Sequence, residues 1–270
     1  MRTADLGWFG LRIAPFSKEI DDEDLWLPTS KVELVDHLAE AIEAHATVLL
    51  TGEPGVGKTC VLRALRRRLS PELYRLTYCH NATLGRRDFY RQLCVALGLQ
   101  PSATAAGVFY TVSTHVEELG RDRTHPVFLL DEAHLLHQDV LDHLHILLNY
   151  QWDSRALLSL VLVGLPELEN QLGLRRNRSL FSRIHHRFAI DDASAHDIAE
   201  YVTHRLKLAG AEKNVFAADA VALMHEHATG ALRDVDRIAH GAMQDAVRRK
   251  RKTVDRDAVE RVLAGRMPIE

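Results

Sequence analysis

The sequence TVLLTGEPGVGKT occupies residues 47–59 and determines which folds the chain can adopt. Residues 47–51 are all apolar or β-branched, which predicts a buried strand. The eight residues after them match the pattern G-x-x-x-x-G-K-[ST] in full: Gly52, Glu53, Pro54, Gly55, Val56, Gly57, Lys58 and Thr59. A helix is predicted directly afterwards, over 58–69. Strand, glycine-rich turn and helix N-terminus in this order indicate a loop whose backbone N–H groups surround a phosphate.

The residue types in this loop predict that the bound species is ATP with Mg²⁺. The Lys58 side chain can reach the β- and γ-phosphates, and the Thr59 hydroxyl can ligate magnesium. We expect residues 52–59 and the next helical residue, Cys60, to contact the nucleotide. The alternative, a glycine-rich connection that binds nothing, is disfavoured because spacing and context agree.

A second motif lies at residues 127–132, which read VFLLDE. This is an apolar strand that ends in two carboxylates. Asp131 is predicted to hold magnesium, directly or through water, and Glu132 to orient and deprotonate the attacking water. The pattern is common by itself and becomes specific downstream of a phosphate-binding loop. Together the two motifs predict an enzyme that hydrolyses ATP to ADP and phosphate.

The wider pattern predicts an α/β fold: a P-loop core with a central parallel sheet flanked by helices, followed by a small all-helical lid domain. Strands are predicted at 47–51, 73–78, 127–130, 159–163 and 188–190, with one long helix at 134–150. After residue 191 only helices are predicted, at 195–209, 217–227, 234–249 and 255–263. We expect three parts: an N-terminal segment at 1–30 that packs on the nucleotide site, the α/β domain at 31–191, and the lid at 192–270.

Composition and charge indicate a cytoplasmic protein with no membrane association. The 270 residues are 46% hydrophobic and 26% charged, as is usual for a globular chain, and the net charge is −3. The three cysteines form no C-x-x-C pair and no even framework, which favours a reducing compartment. The longest apolar run, 157–165, is too short to cross a bilayer, and no signal-peptide pattern opens the sequence.

Two arginines outside the loop are candidates for contact with the γ-phosphate. Residues 230–233 read GALR and predict a helix entered through glycine, with Arg233 in its first turn; the alternative is a surface arginine. Arg183 precedes the last predicted strand, where an arginine can act on the ATP of a neighbouring subunit. A plain basic turn is an equally good interpretation of residues 182–187, and Arg187 is assigned to the strand.

Four histidines, at 134, 137, 143 and 145, invite a metal-site interpretation. Their spacing fits no standard zinc pattern, and no cysteine accompanies them. We therefore predict that they are ordinary residues of the helix at 134–150, with the first two on one face.

With these motifs in order, the chain resembles an AAA+ ATPase over residues 6–263, nearly its whole length. Within that class it is similar to the ExeA-type ATPases and to the related ATPases that assist bacterial transposases, the MuB and TnsC group. The segments that carry the resemblance are 9–11, 15–16, 52–59, 131–136, 162–168, 201–206 and 230–233.

The resemblance implies a role for each matched residue. Lys58 and Thr59 match the Walker A pair, and Asp131 with Glu132 match Walker B. Arg233 matches the sensor-2 arginine, which favours its functional interpretation. Arg183 falls in the region of the trans-acting arginine finger. These are implications of the family pattern.

The chain departs from that pattern at the end of the strand at 159–163. The ExeA-type pattern has a polar residue there that senses the γ-phosphate, whereas this chain has Gly164-Leu165. An apolar side chain such as Leu165 cannot make that contact. Either a nearby polar group substitutes for it, or hydrolysis is slow and ATP acts chiefly as a switch.

The resemblance implies an ATP-dependent DNA-binding protein that assembles on duplex DNA, without sequence preference, and recruits or activates a transposase or another recombination protein. Arg86, Arg87 and Arg91 are the predicted phosphate contacts, and the basic run 248–252 is a second candidate; solvated helix ends are the alternative for both. A trans-acting finger implies a homo-oligomeric ring or filament formed with ATP. The second hypothesis is a cytosolic ExeA-like ATPase that acts on a protein client in secretion or defence, without DNA.

Overall fold

The computed structural model describes residues 3–79, 84–102, 104–150 and 154–265. The first two residues of the predicted N-terminal segment and the last five of the predicted lid, 266–270, lie outside these described residues. The chain divides into two compact units. The sheet unit consists of Thr29–Gly52 and Lys58–Ile190, and the helical unit consists of residues up to Pro28, the loop Glu53–Gly57 and the residues from Asp191 onward.

A five-stranded parallel sheet forms the centre of the sheet unit, as the sequence predicts. The strand order is β2-β3-β4-β1-β5. The strands are β1 (Thr47–Gly52), β2 (Tyr74–Cys79), β3 (His125–Leu130), β4 (Ser159–Gly164) and β5 (Ile184–Ile190). All residues of β1, β3 and β4 are buried, because each of these inner strands is covered on both faces.

β5 is longer than predicted, since it begins at Ile184 and the sequence indicates a strand only at 188–190. The first part of β5 carries His185, His186 and Arg187, all of them exposed. An edge strand needs no apolar run, because one of its sides faces no other strand. The basic segment at 182–187 is therefore mostly strand, which corrects its interpretation as a turn.

The helices of the sheet unit are α2 (Thr29–Glu43), α3 (Lys58–Arg68), α4 (Arg86–Ala96), α5 (Ala105–Arg121), α6 (Gln138–Leu147), α7 (Glu167–Gly173) and α8 (Arg178–Phe181). The apolar faces of α4 to α8 and the sheet share one core, in which Phe89, Val112, Phe128, Leu144 and Leu160 are buried.

The prediction of one long helix at 134–150 is wrong. A short 3-10 turn at Ala133–Leu135 is followed by a separate helix, α6. The two are separated because His137 has extended backbone angles, φ −62° and ψ 143°, and serves as the N-cap of α6. His134 and His137 consequently do not share a helix face.

The helical unit contains α1 (Thr3–Trp8), α9 (Ala195–Leu208), α10 (Ala218–Ala228), α11 (Leu232–Arg248) and α12 (Arg256–Ala264). A second apolar core joins them, with Ile198, Met224, Ile238 and Val259 at 0% exposure. Ser194 caps α9 through a complete capping box with Asp197, which fixes where the helix begins.

Within the described part of the chain, no helix is both long enough and apolar enough to cross a membrane.

A buried arginine links α9 to the N-terminal segment inside the helical unit. Arg205 is 6% exposed and donates hydrogen bonds to the carbonyl oxygens of Pro15, at 2.5 Å, and Ser17, at 2.6 Å. It also donates to the Tyr201 hydroxyl at 3.1 Å, and that hydroxyl donates to Asp236 at 2.7 Å. Burial raises the pKa of the Asp236 carboxyl. This network satisfies backbone carbonyls that have no strand or helix to pair with.

We expect Arg205→Met to lower the free energy of unfolding by about 3 kcal/mol, because it leaves the Pro15 and Ser17 carbonyl oxygens without their donor and removes the positive charge near the buried Asp236 carboxyl. Urea unfolding followed by circular dichroism measures this change. Lys207→Met, at an exposed position of the same helix, is the matched control and should change stability by less than about 0.5 kcal/mol. Equal stability of the two variants would contradict a structural role for the network.

Candidate functional site

The strands that lead to two chemistry-bearing segments end at one edge of the sheet. β4 lies between β3 and β1, with Leu130 opposite Leu162 and Thr51 opposite Gly164. Parallel strands end at the same edge, so the carboxylates after β3 and the glycine-rich loop after β1 follow strands that both pair with β4. Such an edge is the usual place for ligand sites in α/β proteins.

Lys58 and Thr59, the last two residues of the glycine-rich motif, lie at the start of α3, as predicted. Lys58 is 8% exposed, and its ammonium group donates a hydrogen bond to the Gly52 carbonyl oxygen at 2.7 Å. Thr59 is exposed and Cys60 is half-buried. The helix therefore presents an ammonium group and a hydroxyl on its first turn, next to the backbone N–H groups that open the helix.

The loop Glu53–Gly57 belongs to the helical unit, where it lies against the start of α11. Gly55 and Gly57 have φ values of +88° and +102°, a region that residues with side chains rarely adopt. A Cβ at Gly55 would lie 3.3 Å from the Ala231 Cβ and 3.4 Å from the Arg233 Cβ. Glycine thus permits close approach of this loop to α11.

Arg233 is the second residue of α11 and is exposed, as the interpretation of residues 230–233 predicts. Its Cβ is close enough to Gly55 for its flexible side chain to reach a ligand held by the loop. The structure thus brings Arg233 to the glycine-rich loop, which the sequence pattern alone could not establish.

Asp131 directly follows β3 and is 5% exposed. Its carboxylate accepts a hydrogen bond from the Tyr78 hydroxyl at 2.7 Å and one from the Glu132 backbone N–H at 2.9 Å, through different oxygens. Burial, and then the hydrogen bond to Asp131, raise the pKa of the Tyr78 phenol well above its usual value. Each carboxylate oxygen can accept further bonds, so this arrangement orients Asp131 without occupying it fully.

The chain turns away from the direction of β3 at Glu132, because the backbone of this residue is left-handed, with φ 53° and ψ 36°. Its side chain is 48% exposed, whereas that of His134 is 15% exposed, and their closest N and O atoms, Nε2 and Oε2, are 3.6 Å apart. His134 Nδ1 accepts a long hydrogen bond, 3.4 Å, from the Leu165 backbone N–H. Thus the exposed carboxylate has an imidazole beside it that also contacts the end of β4.

Arg183 lies immediately before β5 and is half-buried. Its Nη1 donates to the Ser179 carbonyl oxygen of α8 at 3.0 Å, so the guanidinium folds back on its own chain. Arg187 lies in β5, as predicted, and its guanidinium sits 3.9 Å from the centre of the Phe181 ring.

The three arginines predicted to contact DNA are not equivalent. Arg86 and Arg87 are exposed on the first turn of α4. Arg91 is half-buried and donates to the Ser102 carbonyl oxygen at 3.4 Å. The run at 248–252 is partly engaged inside the helical unit, where Arg249 pairs with Asp245 and the Lys252 ammonium bonds the Trp8 carbonyl oxygen.

Sequence analysis misses Tyr78 and assigns His134 no function. The Tyr78 contact depends on the register of β2 against β3, in which Tyr78 lies opposite Leu129. A single sequence does not reveal this pairing. The position of His134 follows from the break between the 3-10 turn and α6. The sequence signal for a nearby polar group is Gly164-Leu165, which stands where the family resemblance implies a polar residue.

Comparison with known proteins supports this architecture. Residues 39–172 match the family described as AAA domain. The chain is 32% identical, over 240 residues, to General secretion pathway protein A of Aeromonas hydrophila; the match covers 87% of this chain and 44% of that protein. The chain thus spans less than half the length of this curated relative.

Solved structures of low sequence identity share the fold. The Aeropyrum pernix ORC1 protein, solved in complex with DNA, superposes with a TM-score of 0.66 at 23% identity, covering 88% of this chain and 65% of that one. The Aeropyrum pernix ORC2 protein gives 0.70 at 15% identity, covering 95% and 72%. The family match over residues 39–172, the sheet order and the fold shared with these structures agree: the chain has the AAA+ P-loop fold, with a helical region after the sheet.

Proposed function

We propose that this chain binds ATP with Mg²⁺ and hydrolyses it. The observation that carries the proposal is the edge of the sheet at which the glycine-rich loop and the Asp131-Glu132 pair follow strands that both pair with β4. The positive φ angles of Gly55 and Gly57 fit a loop that turns N–H groups toward phosphate. A hydroxyl and a carboxylate, from Thr59 and Asp131, are the oxygen ligands that magnesium prefers.

Each side chain has a proposed task in this reaction. Lys58 binds the β- and γ-phosphates, while Thr59 and Asp131 hold magnesium, which neutralises charge on the phosphates when bound. Glu132, which is exposed, orients the attacking water and accepts its proton. Arg233 contacts the γ-phosphate from the helical unit, a proposal supported by its proximity to Gly55.

Oligomerisation with ATP is part of the proposal, because Arg183 is proposed to act on the nucleotide of a neighbouring copy. Its guanidinium bonds the Ser179 carbonyl oxygen, so it would have to exchange that acceptor for phosphate. The competing candidate is Arg178, which is exposed on α8, the short helix that also contains Ser179. We expect the rate of hydrolysis per subunit to rise with protein concentration in the wild type. If only one of the variants Arg183→Ala and Arg178→Ala loses this rise, that variant identifies the finger.

Replacement of the two motif residues should separate binding from chemistry. We expect Lys58→Ala to abolish binding of a fluorescent ATP analogue, and Glu132→Gln to retain binding while phosphate release falls by about 100-fold. Glu72→Gln, at an exposed position in the same unit, is the charge-matched control and should behave as wild type. A wild-type chain that binds no ATP, or a Glu132→Gln variant of full activity, would contradict the proposal.

Tyr78 supports the proposed magnesium ligand, because its hydroxyl donates to Asp131. We expect Tyr78→Phe to raise the Mg²⁺ concentration for half-maximal hydrolysis about tenfold, as loss of an outer hydrogen bond to a metal ligand commonly does. Titration of steady-state ATP hydrolysis with Mg²⁺ measures this. Tyr74→Phe, at the opposite end of β2, is the control. An unchanged Mg²⁺ requirement in Tyr78→Phe would show that Asp131 needs no support from Tyr78.

We further propose that the ATP-bound form assembles on duplex DNA and recruits a transposase or another recombination protein. Exposed guanidinium groups on the first turn of α4, from Arg86 and Arg87, support contact with phosphates. Arg91 is a weaker candidate because it is half-buried, whereas Arg86 and Arg87 are exposed. The ORC1 protein that shares this fold was solved with DNA, which is compatible with the proposal.

A second candidate function is the action of ATP hydrolysis on a protein client. The observation that favours it is the 32% identity to a protein named for a general secretion pathway. This candidate predicts no DNA binding in any nucleotide state, so one binding experiment separates the two functions.

Fluorescence anisotropy with a random-sequence duplex should show binding that requires ATP and weakens with salt. We expect Arg86→Ala/Arg87→Ala to weaken binding and to reduce the slope of log K against log salt by about 2, since two phosphate contacts are lost. The control is Arg75→Ala/Arg121→Ala, which removes equal charge from exposed positions elsewhere in the sheet unit. Absence of binding at low salt with ATP, ADP or no nucleotide would contradict the DNA proposal and favour the protein client.

A further inference from the structure

The carboxyl end of β4 lacks a polar side chain at its last residue and at the residue that follows. These are Gly164 and Leu165, and Gly164 is opposite Thr51 of β1. β3, which leads to Glu132, pairs with β4 on its other side. β4 therefore lies between the strand that precedes the proposed phosphate loop and the strand that precedes the proposed base, yet the residues at its end offer only backbone groups.

The space beside Gly164 is filled by His134. A Cβ at position 164 would lie 3.2 Å from the His134 backbone nitrogen, 3.2 Å from its Nδ1 and 2.9 Å from the Leu168 Cδ2. Contacts this short require a neighbour to move. A side chain at position 164 would therefore crowd both the imidazole and Leu168, whereas glycine leaves room for them.

The hydrogen bond to Leu165 determines which ring nitrogen of His134 carries the proton. Nδ1 accepts from the Leu165 N–H at 3.4 Å, so it must be unprotonated. The neutral ring then carries its proton on Nε2, the nitrogen that lies 3.6 Å from the Glu132 Oε2. A small rotation of either side chain brings this N–H within hydrogen-bond distance of the carboxylate.

We propose that the His134 imidazole replaces the missing polar residue of β4 by tethering the Glu132 carboxylate to the backbone of Leu165. This inference rests on the proposed function, because Glu132 must be the base for the tether to matter. His134 is then a positioning residue: it acts on the attacking water through Glu132 and makes no contact with the nucleotide. A displacement of the strand end by the γ-phosphate would pass directly to Glu132.

Three substitutions of His134 test separately its contact with the Leu165 N–H and its contact with the Glu132 carboxylate. Alanine removes both. Asparagine places its amide oxygen near the position of Nδ1 and retains only the contact with Leu165. Glutamine extends far enough to place an amide N–H near the position of Nε2 and so retains the contact with Glu132.

We expect His134→Ala and His134→Asn to lower kcat by at least about tenfold, because Glu132 loses its orientation, while the affinity for a fluorescent ATP analogue changes less than about twofold. His134→Gln should retain a clearly larger share of kcat than either. His196→Ala, whose side chain is 80% exposed, is the control. Thermal melting of every variant separates loss of activity from loss of folding.

The ring nitrogens of His134 can also be observed directly in the wild-type chain. Nitrogen-15 spectra of histidine-labelled protein, with the signal assigned by its loss in His134→Gln, should show a neutral ring protonated on Nε2. This measurement needs no turnover, so it tests the tether even where ATP is not hydrolysed.

Three outcomes would overturn the inference: unchanged kcat in His134→Ala, an equal loss of kcat in the alanine, asparagine and glutamine variants, or a ring protonated on Nδ1. A different result contradicts the proposed function itself. If the wild-type chain releases phosphate no faster than Glu132→Gln, the chain is no ATPase and the tether has no base to position.

Discussion

The structure depends on the position of β4, which pairs with β3 on one side and β1 on the other. Because all three strands run parallel, their carboxyl ends lie at one edge, and the segments that follow them begin there. Complete burial of these strands requires helices over both faces, which limits where the chain can leave the sheet. Residues distant in sequence thereby come within hydrogen-bond distance, as Tyr78 does with Asp131 and His134 with Leu165.

Polar groups near this edge are satisfied by neighbours that also orient them. The buried carboxylate of Asp131 receives two donors, one from β2 and one from its own chain, and therefore has a fixed direction. Arg205 does the same for two backbone carbonyl oxygens in the helical unit. In both cases the cost of burying a polar group is offset by hydrogen bonds that leave few alternative rotamers.

The sequence predicts most of the fold and the core of the candidate site because those signals are local. The glycine-rich loop, the strand before it and the carboxylates after β3 are defined by spacing along the chain. Features that depend on strand pairing escape prediction: the polar first half of β5 resembles a turn, and the contact of Tyr78 with Asp131 requires the register of β2. The break before α6 has no glycine or proline to mark it, so the apolar period at 134–150 predicts one helix.

Glu132 has both an exposed carboxylate and a left-handed backbone. The backbone conformation lowers the stability of the fold, whereas the carboxylate is the proposed base. A left-handed conformation costs a residue with a side chain about 1 kcal/mol, whereas glycine adopts it freely. A change to glycine would therefore remove the proposed base and at the same time relieve the backbone. Stability alone would favour that change, so a glutamate at this position is what the proposed hydrolysis predicts.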